Sequence, residues 1–233
     1  MKFEIQVKEI IPRTDSVLSF KFTRPAALNY KPGQYLLVTI KANEKSLTKP
    51  LSFSSSPTEK EHIEFTKKLT DSEFSNALRA LKLGDRIIID APYGTFTFEG
   101  ESAKIVLLAG GIGITPFMSI CKYCTDKRLN TKVTLLYGNR SEKDIVFREE
   151  LEVLERQNSN LKVIFILNEA SDSWKGAIGV IDAGLVKKEV PDYKESLFYA
   201  CGPPPMIQAM EKLIRDLGLP STQLKLEVFT GHT

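Results

Sequence analysis

The sequence predicts two domains, an N-terminal antiparallel β-barrel and a C-terminal α/β domain built on a parallel sheet. From residue 1 to about 98, short runs of alternating apolar and polar residues are separated by turn residues. From about 103 onward, apolar strands alternate instead with helical patterns. The polar stretch 99–102, Glu-Gly-Glu-Ser, separates the two rhythms, so we predict domains at 1–98 and 103–233.

Six strands and one helix are predicted in the first half. Turn residues such as Pro32-Gly33 and Gly84-Asp85 bound the strands, and several short strands with such breaks are typical of a barrel or sandwich. The strands are expected at 3–11, 17–23, 35–40, 51–56, 63–67 and 86–90. Apolar residues at 74, 77, 78 and 81 predict a helix over 75–81.

The second half repeats a strand–helix unit. Apolar strands are expected at 104–109, 132–137, 162–167 and 196–200, and a last strand at 223–229. Helices are expected near 115–126, 147–157 and 204–217. This alternation predicts a parallel sheet with helices on both faces.

The composition excludes several classes of protein. With 42% hydrophobic and 26% charged residues, the chain is globular rather than disordered. A net charge of +3 without a basic run argues against nucleic acid as a partner. No apolar stretch has the length of a membrane span, and the amino terminus alternates like a strand and lacks a signal-peptide core. A cytoplasmic location is therefore expected.

Cysteine and histidine are too few for a metal or cluster site. The three cysteines cannot supply the four thiolates of an iron–sulfur cluster, and an odd number argues against a disulfide framework. Cys121 and Cys124 lie in a predicted helix and are expected to be buried thiols. The chain has only two histidines, which argues against a catalytic triad that depends on histidine. No metal site is predicted.

A glycine turn, Gly110-Gly111-Ile112-Gly113, follows the first parallel strand and precedes a helix. Such a turn either binds a phosphate with its backbone N–H groups or is simply a tight connection, and the full dinucleotide fingerprint is not matched. The loop Cys201-Gly202-Pro203 follows the fourth strand and lies at the same carboxyl edge. We therefore expect Gly111 and Cys201 to face one crevice.

The stretch 49–57, Lys-Pro-Leu-Ser-Phe-Ser-Ser-Ser-Pro, alternates like a strand but carries small hydroxyl side chains where branched or aromatic ones are usual. A bulky partner could lie against such a strand, with Lys49 beside it.

Six motifs in order along nearly the whole chain resemble the ferredoxin–NADP reductase superfamily of flavoproteins. They are Pro32-Gly33-Gln34-Tyr35, Lys49-Pro50-Leu51-Ser52-x-x-Ser55, Ala91-Pro92-Tyr93-Gly94-x-Phe96, Gly110-Gly111-x-Gly113-Ile114-Thr115-Pro116, Cys201-Gly202-Pro203 and Glu227-x-Phe229. The resemblance implies a flavin-binding barrel and a Rossmann-like sheet that binds NAD(P).

The resemblance also implies the residues of the flavin site. Ser52 would approach the flavin N5 edge, Lys49 would neutralise a pyrophosphate and Leu51 would cover a ring face. The wider set comprises Tyr35, Lys49, Pro50, Leu51, Ser52, Thr66, Lys67 and Ser75. The backbone at Thr66 and Lys67 is expected to cradle the cofactor, with the side chains of Lys67 and Lys68 facing solvent. Ser75 is a candidate for a phosphate contact, for the helix N-cap, or for both.

Two features refine the expected cofactor. The family usually has Arg-x-Tyr-Ser where this chain has Lys49-Pro50-Leu51-Ser52, so flavin retention is expected to be weaker. The loop 91–94 and the length of the barrel resemble FAD-binding members, so FAD is favoured over FMN.

For the nucleotide, the resemblance implies a site formed by Gly110, Gly111, Thr115, Pro116, Arg140, Cys201, Gly202, Pro203 and Phe229. Cys201 would shape the hydride geometry, or is a buried core thiol. Glu227 would relay a proton towards N5, or faces solvent. Thr115 would line the hydride path or cap its helix, and Phe229 would shield the flavin or belong to a fraying tail with residues 230–233.

Arg140 and Lys143 could hold the 2′-phosphate of NADPH, which favours NADPH over NADH. Arg140 could equally be an ordinary surface residue. Ser141-x-x-Asp144 in the same stretch is also a helix-start pattern.

The implied reaction is hydride transfer from NADPH or NADH to flavin N5, with Ser52, Cys201 and Glu227 as the residues at the chemistry. Electrons would then pass to a separate protein carrier such as ferredoxin, flavodoxin or a cytochrome. Two alternatives stay open: a reductase of free flavin or ferric chelates, and a non-catalytic flavin-binding subunit of a larger electron-transfer complex.

Overall fold

The computed structural model describes residues 1–42 and 45–229. The chain divides into two compact units, one formed by Met1–Glu99 with Thr115–Tyr123 and the other by Gly100–Ile114 with Cys124–Thr233. Among the described residues, no helix is long and apolar enough to cross a membrane.

The first unit is a six-stranded antiparallel sheet that closes on itself. Its strands are ordered β4-β3-β6-β1-β2-β5. Its elements are β1 Lys2–Thr14, β2 Val17–Thr23, β3 Tyr35–Ala42, β4 Lys45–Ser52, β5 His62–Lys68, α1 Glu73–Ala80 and β6 Arg86–Tyr93. A bridge from Phe53 to Phe65 joins the segment after β4 to β5, so the two edges of the sheet meet. We call this closure the barrel seam, and it confirms the predicted barrel.

The fourth strand lies earlier than predicted. It was expected at 51–56, but β4 pairs with β3 from Lys45 to Ser52, and residues 53–56 leave this ladder at the barrel seam. The start of β4 is polar and mostly exposed, as an edge strand can be, so it lacks the apolar alternation on which the prediction depended.

The core of the barrel is aromatic. Phe20 and Phe22 each lie with their ring centroids 5.3 Å from that of Phe65, and Tyr30 stacks on Phe53 at 4.0 Å. The four phenylalanines have 0% exposure. Because Phe53 and Phe65 also form the bridge, the same side chains fill the core and position the barrel seam.

The second unit is a six-stranded parallel sheet, ordered β10-β9-β8-β7-β11-β12, as predicted for the second half. The elements that follow β6 are β7 Lys104–Gly110, α2 Ile114–Asp126, β8 Lys132–Asn139, α3 Arg148–Gln157, β9 Leu161–Leu167, β10 Ala177–Ile178, α4 Ala183–Glu189, β11 Leu197–Gly202, α5 Pro204–Asp216 and β12 Leu224–Val228. Residues 115–123 of α2 belong to the first unit.

Two elements were not predicted, β10 and α4. The two residues of β10 are too few to show a period, and α4 is a single short helix whose N-cap, Asp182, accepts from the Leu185 N–H at 2.8 Å. Cys121 and Cys124, predicted to be buried thiols, are both fully buried, and neither forms a disulfide bond.

Candidate functional site

Three glycines, Gly110, Gly113 and Gly202, lie together at the carboxyl edge of the parallel sheet, and we call this group the glycine cradle. A Cβ atom added to Gly113 would lie 2.2 Å from the Cys201 carbonyl oxygen, so the two backbones are in direct contact. A Cβ at Gly110 or Gly202 would meet the Met206 sulfur at 2.1 and 2.7 Å. The structure thus packs the glycine turn against the Cys201 loop at one edge of the sheet. A Cβ atom added to Gly111 would meet nothing within 4 Å, so the turn is open on that side.

Helix α2 begins directly after this turn, at Ile114. Thr115 is its second residue and is 1% exposed, so it is not the N-cap that the alternative prediction allowed. Pro116 is the third residue, where the missing N–H removes no intrahelical hydrogen bond.

Cys201 and Glu227 are neighbours on paired strands. The Cys201 Sγ lies 4.0 Å from Glu227 Oε2, and β11 pairs with β12 at this level. Burial raises the pKa of the Cys201 thiol well above its usual value, and the Glu227 charge raises it further. Cys201 is therefore a neutral thiol at physiological pH that can donate to the carboxylate, whereas Glu227 is only partly buried.

Phe229 is anchored rather than frayed. Its backbone N–H donates to the Gly202 carbonyl at 3.0 Å, which fixes it beside Pro203 and the end of β11. The predicted tail 230–233 lies outside the described residues.

Arg140 is paired with a carboxylate that the sequence reasoning missed. Its Nε donates to Glu169 Oε1 at 2.9 Å, and the Glu169 N–H donates to the Arg140 carbonyl at 2.7 Å. Glu169 is 29 residues away in sequence but follows the neighbouring strand β9, so parallel pairing of β8 and β9 was the available signal. The pattern Ser141-x-x-Asp144 does cap a short turn, as one reading predicted.

Lys67 is buried, which corrects the prediction that its side chain faces solvent. It is 6% exposed, and its ammonium donates to the Lys68 carbonyl at 2.8 Å, while the Lys68 side chain is exposed. Burial first, and the nearby charge of Lys49 second, together lower the pKa of Lys67 to about 8. Two ammonium groups are therefore held close together at the β4 and β5 edges of the barrel.

Leu51 belongs to the barrel core. It is 8% exposed and packs in the same cluster as Leu36, its partner on β3. Most of this side chain contacts the barrel interior, which differs from the expected role of covering a flavin ring. Pro50, next to it on β4, is exposed.

Tyr35 stacks on Tyr93 with ring centroids 5.8 Å apart. A Cβ at Gly94, where φ is +92°, would lie 2.9 Å from the Tyr35 ring, so the Tyr93-Gly94 turn requires glycine both for its backbone and for this contact.

Ser75 is not the N-cap of α1. Ser72 is, and its hydroxyl accepts from the Ser75 N–H at 3.3 Å. The Ser75 hydroxyl is fully buried and accepts from the Thr70 N–H at 3.1 Å. Ser72 is itself exposed.

These residues fit a flavin dinucleotide. The ammonium groups of Lys49 and Lys67 repel one another, and a pyrophosphate placed beside both would offset that repulsion. The hydroxyls of Ser52 and Thr66, each 3% exposed, are the polar groups that the neighbouring strand ends supply. Among the described residues, no group of three or more His, Cys, Asp or Glu side chains is arranged to hold a metal.

An antiparallel barrel with a basic, hydroxyl-bearing edge, together with a parallel sheet that carries a glycine cradle, defines an oxidoreductase that uses a flavin and a nicotinamide nucleotide. Residues 2–98 match the oxidoreductase FAD-binding domain and residues 107–212 match the oxidoreductase NAD-binding domain. The chain belongs to the ferredoxin–NADP reductase superfamily.

Relatives support this membership. The chain is 30% identical to an NADH-cytochrome b5 reductase 1 of Aspergillus terreus, over 97% of this chain and 82% of the relative. It is also 30% identical to the reductase component of a propane 2-monooxygenase of Rhodococcus jostii, over 97% of this chain and 63% of the relative. A ferredoxin reductase of carbazole 1,9a-dioxygenase has a TM-score of 0.84 at 27% identity, over 98% of this chain and 69% of that chain.

Proposed function

We propose that this NAD(P)H-dependent FAD oxidoreductase passes its electrons to a separate protein carrier, of the haem or iron–sulfur type. When bound, the flavin accepts a hydride from the reduced nicotinamide and releases electrons onward. The observation that carries flavin dependence is the pair of ammonium groups of Lys49 and Lys67, which an anionic cofactor would neutralise. The carrier is proposed from the relatives, which are named for cytochrome b5 and for oxygenases.

Each part of the site has a proposed task. Lys49 and Lys67 neutralise the pyrophosphate, and the hydroxyls of Ser52 and Thr66 orient the flavin. The glycine cradle lets the nucleotide backbone approach the sheet edge. Cys201 keeps that edge apolar and its neutral thiol donates a hydrogen bond to the Glu227 carboxyl group, which is proposed to relay a proton between solvent and the cofactor.

The Arg140–Glu169 pair favours NADH. A 2′-phosphate that approached Arg140 would have to displace the Glu169 carboxylate and would be repelled by it. This is the opposite preference to the one indicated by Arg140 and Lys143 alone. The name of the fungal relative, an NADH-dependent reductase, agrees with it.

The test is to purify the protein, record its visible spectrum and add NADH and NADPH separately without oxygen. The expected result is bound FAD that NADH bleaches faster than NADPH, followed by reduction of cytochrome b5 or ferredoxin with ferricyanide as a positive control. A protein that binds no FAD after reconstitution would contradict the proposal. If NADH or NADPH bleaches the flavin but no protein acceptor is reduced, the proposed protein carrier is contradicted, whereas the NAD(P)H-dependent flavin reductase activity is not.

A second candidate is a reductase of free flavin, which Lys49 and Leu51 favour. Lysine cannot form the bidentate phosphate contact of arginine, and Leu51 is mostly committed to the barrel core. This candidate predicts turnover that rises with added FMN or FAD and weak retention of cofactor on dialysis. Retained FAD and turnover independent of added flavin would exclude it.

A further inference from the structure

A buried carboxylate lies at the barrel seam. Glu64 on β5 is 2% exposed, although an ionised carboxylate is rarely buried without hydrogen bonds and a counter-charge. The structure supplies both: the Ser54 hydroxyl donates to Glu64 Oε1 at 2.7 Å, and Arg13 Nη2 lies 3.4 Å from Oε2. The Glu64 carboxylate is therefore held in place by specific polar partners at the barrel seam.

The carboxylate is one member of a closed ring of five side chains. Arg13 Nε donates to Ser19 at 2.8 Å, the Ser19 and Thr66 hydroxyls are 2.6 Å apart, and those of Thr66 and Ser54 are 2.9 Å apart. Glu64 completes the ring through its contacts with Ser54 and Arg13. The ring joins β1, β2 and β5 to the segment that follows β4.

The Glu64 carboxylate sets the direction of the hydroxyl hydrogen bonds in this ring. A guanidinium only donates and an ionised carboxylate only accepts. Ser54 donates to Glu64, so Thr66 donates to Ser54, with Glu64 Oε1 as a second and longer acceptor at 3.4 Å, and Ser19 donates to Thr66. The Thr66 hydrogen is committed within the ring, so this hydroxyl presents its remaining lone pair as an acceptor.

Glu64 also holds the backbone of the serine stretch. Its carbonyl accepts from the Ser54 N–H at 2.8 Å, and its own N–H donates to the Ser55 hydroxyl at 2.8 Å. The Tyr30 hydroxyl lies 3.0 Å from that same Ser55 hydroxyl. Ser52 is two residues before this anchor, so its place along the barrel edge depends on it.

We propose that Glu64 is a positioning residue for the flavin. It fixes the hydroxyl of Thr66 as an acceptor and holds the segment that carries Ser52, without itself having to contact the cofactor. The inference rests on the proposed flavin site. It assigns Ser54 and Ser55 a task in the barrel seam rather than at the flavin.

The test compares the Glu64→Ala, Glu64→Gln and Ser54→Ala variants with the wild-type protein, and Glu61→Ala serves as an exposed control. FAD dissociation constants, the visible spectrum of bound FAD and the unfolding midpoint of the apoprotein are measured. Glu64→Ala is expected to weaken FAD binding about tenfold, the effect of losing one hydrogen bond or two, and to shift the flavin bands. Glu64→Gln, whose amide oxygen can still accept from Ser54, is expected to restore most of the affinity.

Coupling decides between positioning and general destabilisation. Because Glu64 is proposed to act partly through Ser54, a Glu64→Ala/Ser54→Ala protein should bind FAD about as well as Glu64→Ala alone. If Glu64→Ala does not fold, Ser54→Ala alone must still weaken FAD binding and shift the spectrum. Wild-type affinity and spectrum in both Ser54→Ala and any folded Glu64 variant would overturn the inference. A wild-type protein that binds no FAD would instead overturn the flavin site itself.

Discussion

Lys67→Met should change the apoprotein and the FAD complex in opposite directions. The pKa of Lys67 is lowered from 10.5 to about 8 by burial and by Lys49. With about 1.36 kcal/mol for each pKa unit, keeping this ammonium charged in the folded apoprotein costs about 3 kcal/mol at pH 7. Methionine has a similar length and no charge, and loss of the hydrogen bond to Lys68 offsets about 1 kcal/mol. The variant apoprotein should therefore be more stable by about 2 kcal/mol.

The pH dependence of unfolding is an independent test of whether the Lys67 charge destabilises the folded apoprotein. Between pH 8 and 10.5 the unfolded chain binds the Lys67 proton and the folded apoprotein does not, so wild-type stability rises with pH across this window. The stability advantage of Lys67→Met should shrink by about 3 kcal/mol over the same range. Urea unfolding of both apoproteins at a series of pH values measures it, and taking the difference cancels the titrating groups that do not interact with Lys67.

The FAD complex should respond in the other direction. Removing one ammonium beside the pyrophosphate is expected to weaken FAD binding about tenfold or more, since a hydrogen bond to a charged group contributes about 1.5–3 kcal/mol. Lys68→Met, with an exposed side chain on the next residue, is the matched control and should change neither quantity appreciably. A Lys67→Met apoprotein less stable than wild type at pH 7, with a difference independent of pH, would refute the reasoning.

Three further predictions concern other parts of the molecule. Gly113→Ala should destabilise the protein by about 2 kcal/mol or more in urea unfolding, because its Cβ would lie 2.2 Å from the Cys201 carbonyl oxygen. Glu169→Gln should raise the ratio of kcat/KM for NADPH to that for NADH about fivefold, since it removes a charge that pairs with Arg140 and repels a 2′-phosphate. Glu59→Gln should cost about 2 kcal/mol near neutral pH: burial raises the pKa of Glu59, but His62, Lys122 and the Ser56 N–H lower it to about 2, and this stabilisation is lost as pH falls from 4.5 towards 2.

Each of these has a control within the chain. Gly111→Ala places its Cβ in open space and carries only the strain of φ +51°, so it should cost less than Gly113→Ala; an equal cost would contradict the contact argument. Arg140→Gln should not raise the NADPH ratio, and an increase there would exclude the proposed role of Glu169. Glu61→Gln is exposed and should leave stability unchanged, so a loss equal to that of Glu59→Gln would point to a general charge effect.

The sequence predicted the two sheets because their periods differ. Apolar runs such as 104–109 are buried on both faces and could be recognised without knowledge of their neighbours. The start of β4 could not, because its residues are stabilised by the β3 ladder rather than by apolar burial, and such pairing is not encoded locally.

The site divides in the same way. Glycines and the Cys201 loop were found because backbone approach requires particular residue types at particular places. The burial of Lys67, the Glu169 partner of Arg140 and the ring around Glu64 were missed. Each depends on which residues face one another across strands. A charged residue is predicted to face solvent unless a buried partner for it is known, and the sequence does not show that partner.

The contact between Gly113 and the Cys201 carbonyl has a consequence for engineering. Position 113 accepts no side chain unless β11 moves, so a mutant library that randomises the glycine turn would mostly return poorly folded proteins. A library at Arg140 and Glu169 samples side chains that are largely exposed, 76% and 62%, and leaves the sheet untouched. A change of coenzyme should therefore be sought at the rim of the sheet, where evolution could also vary it at little cost to the fold.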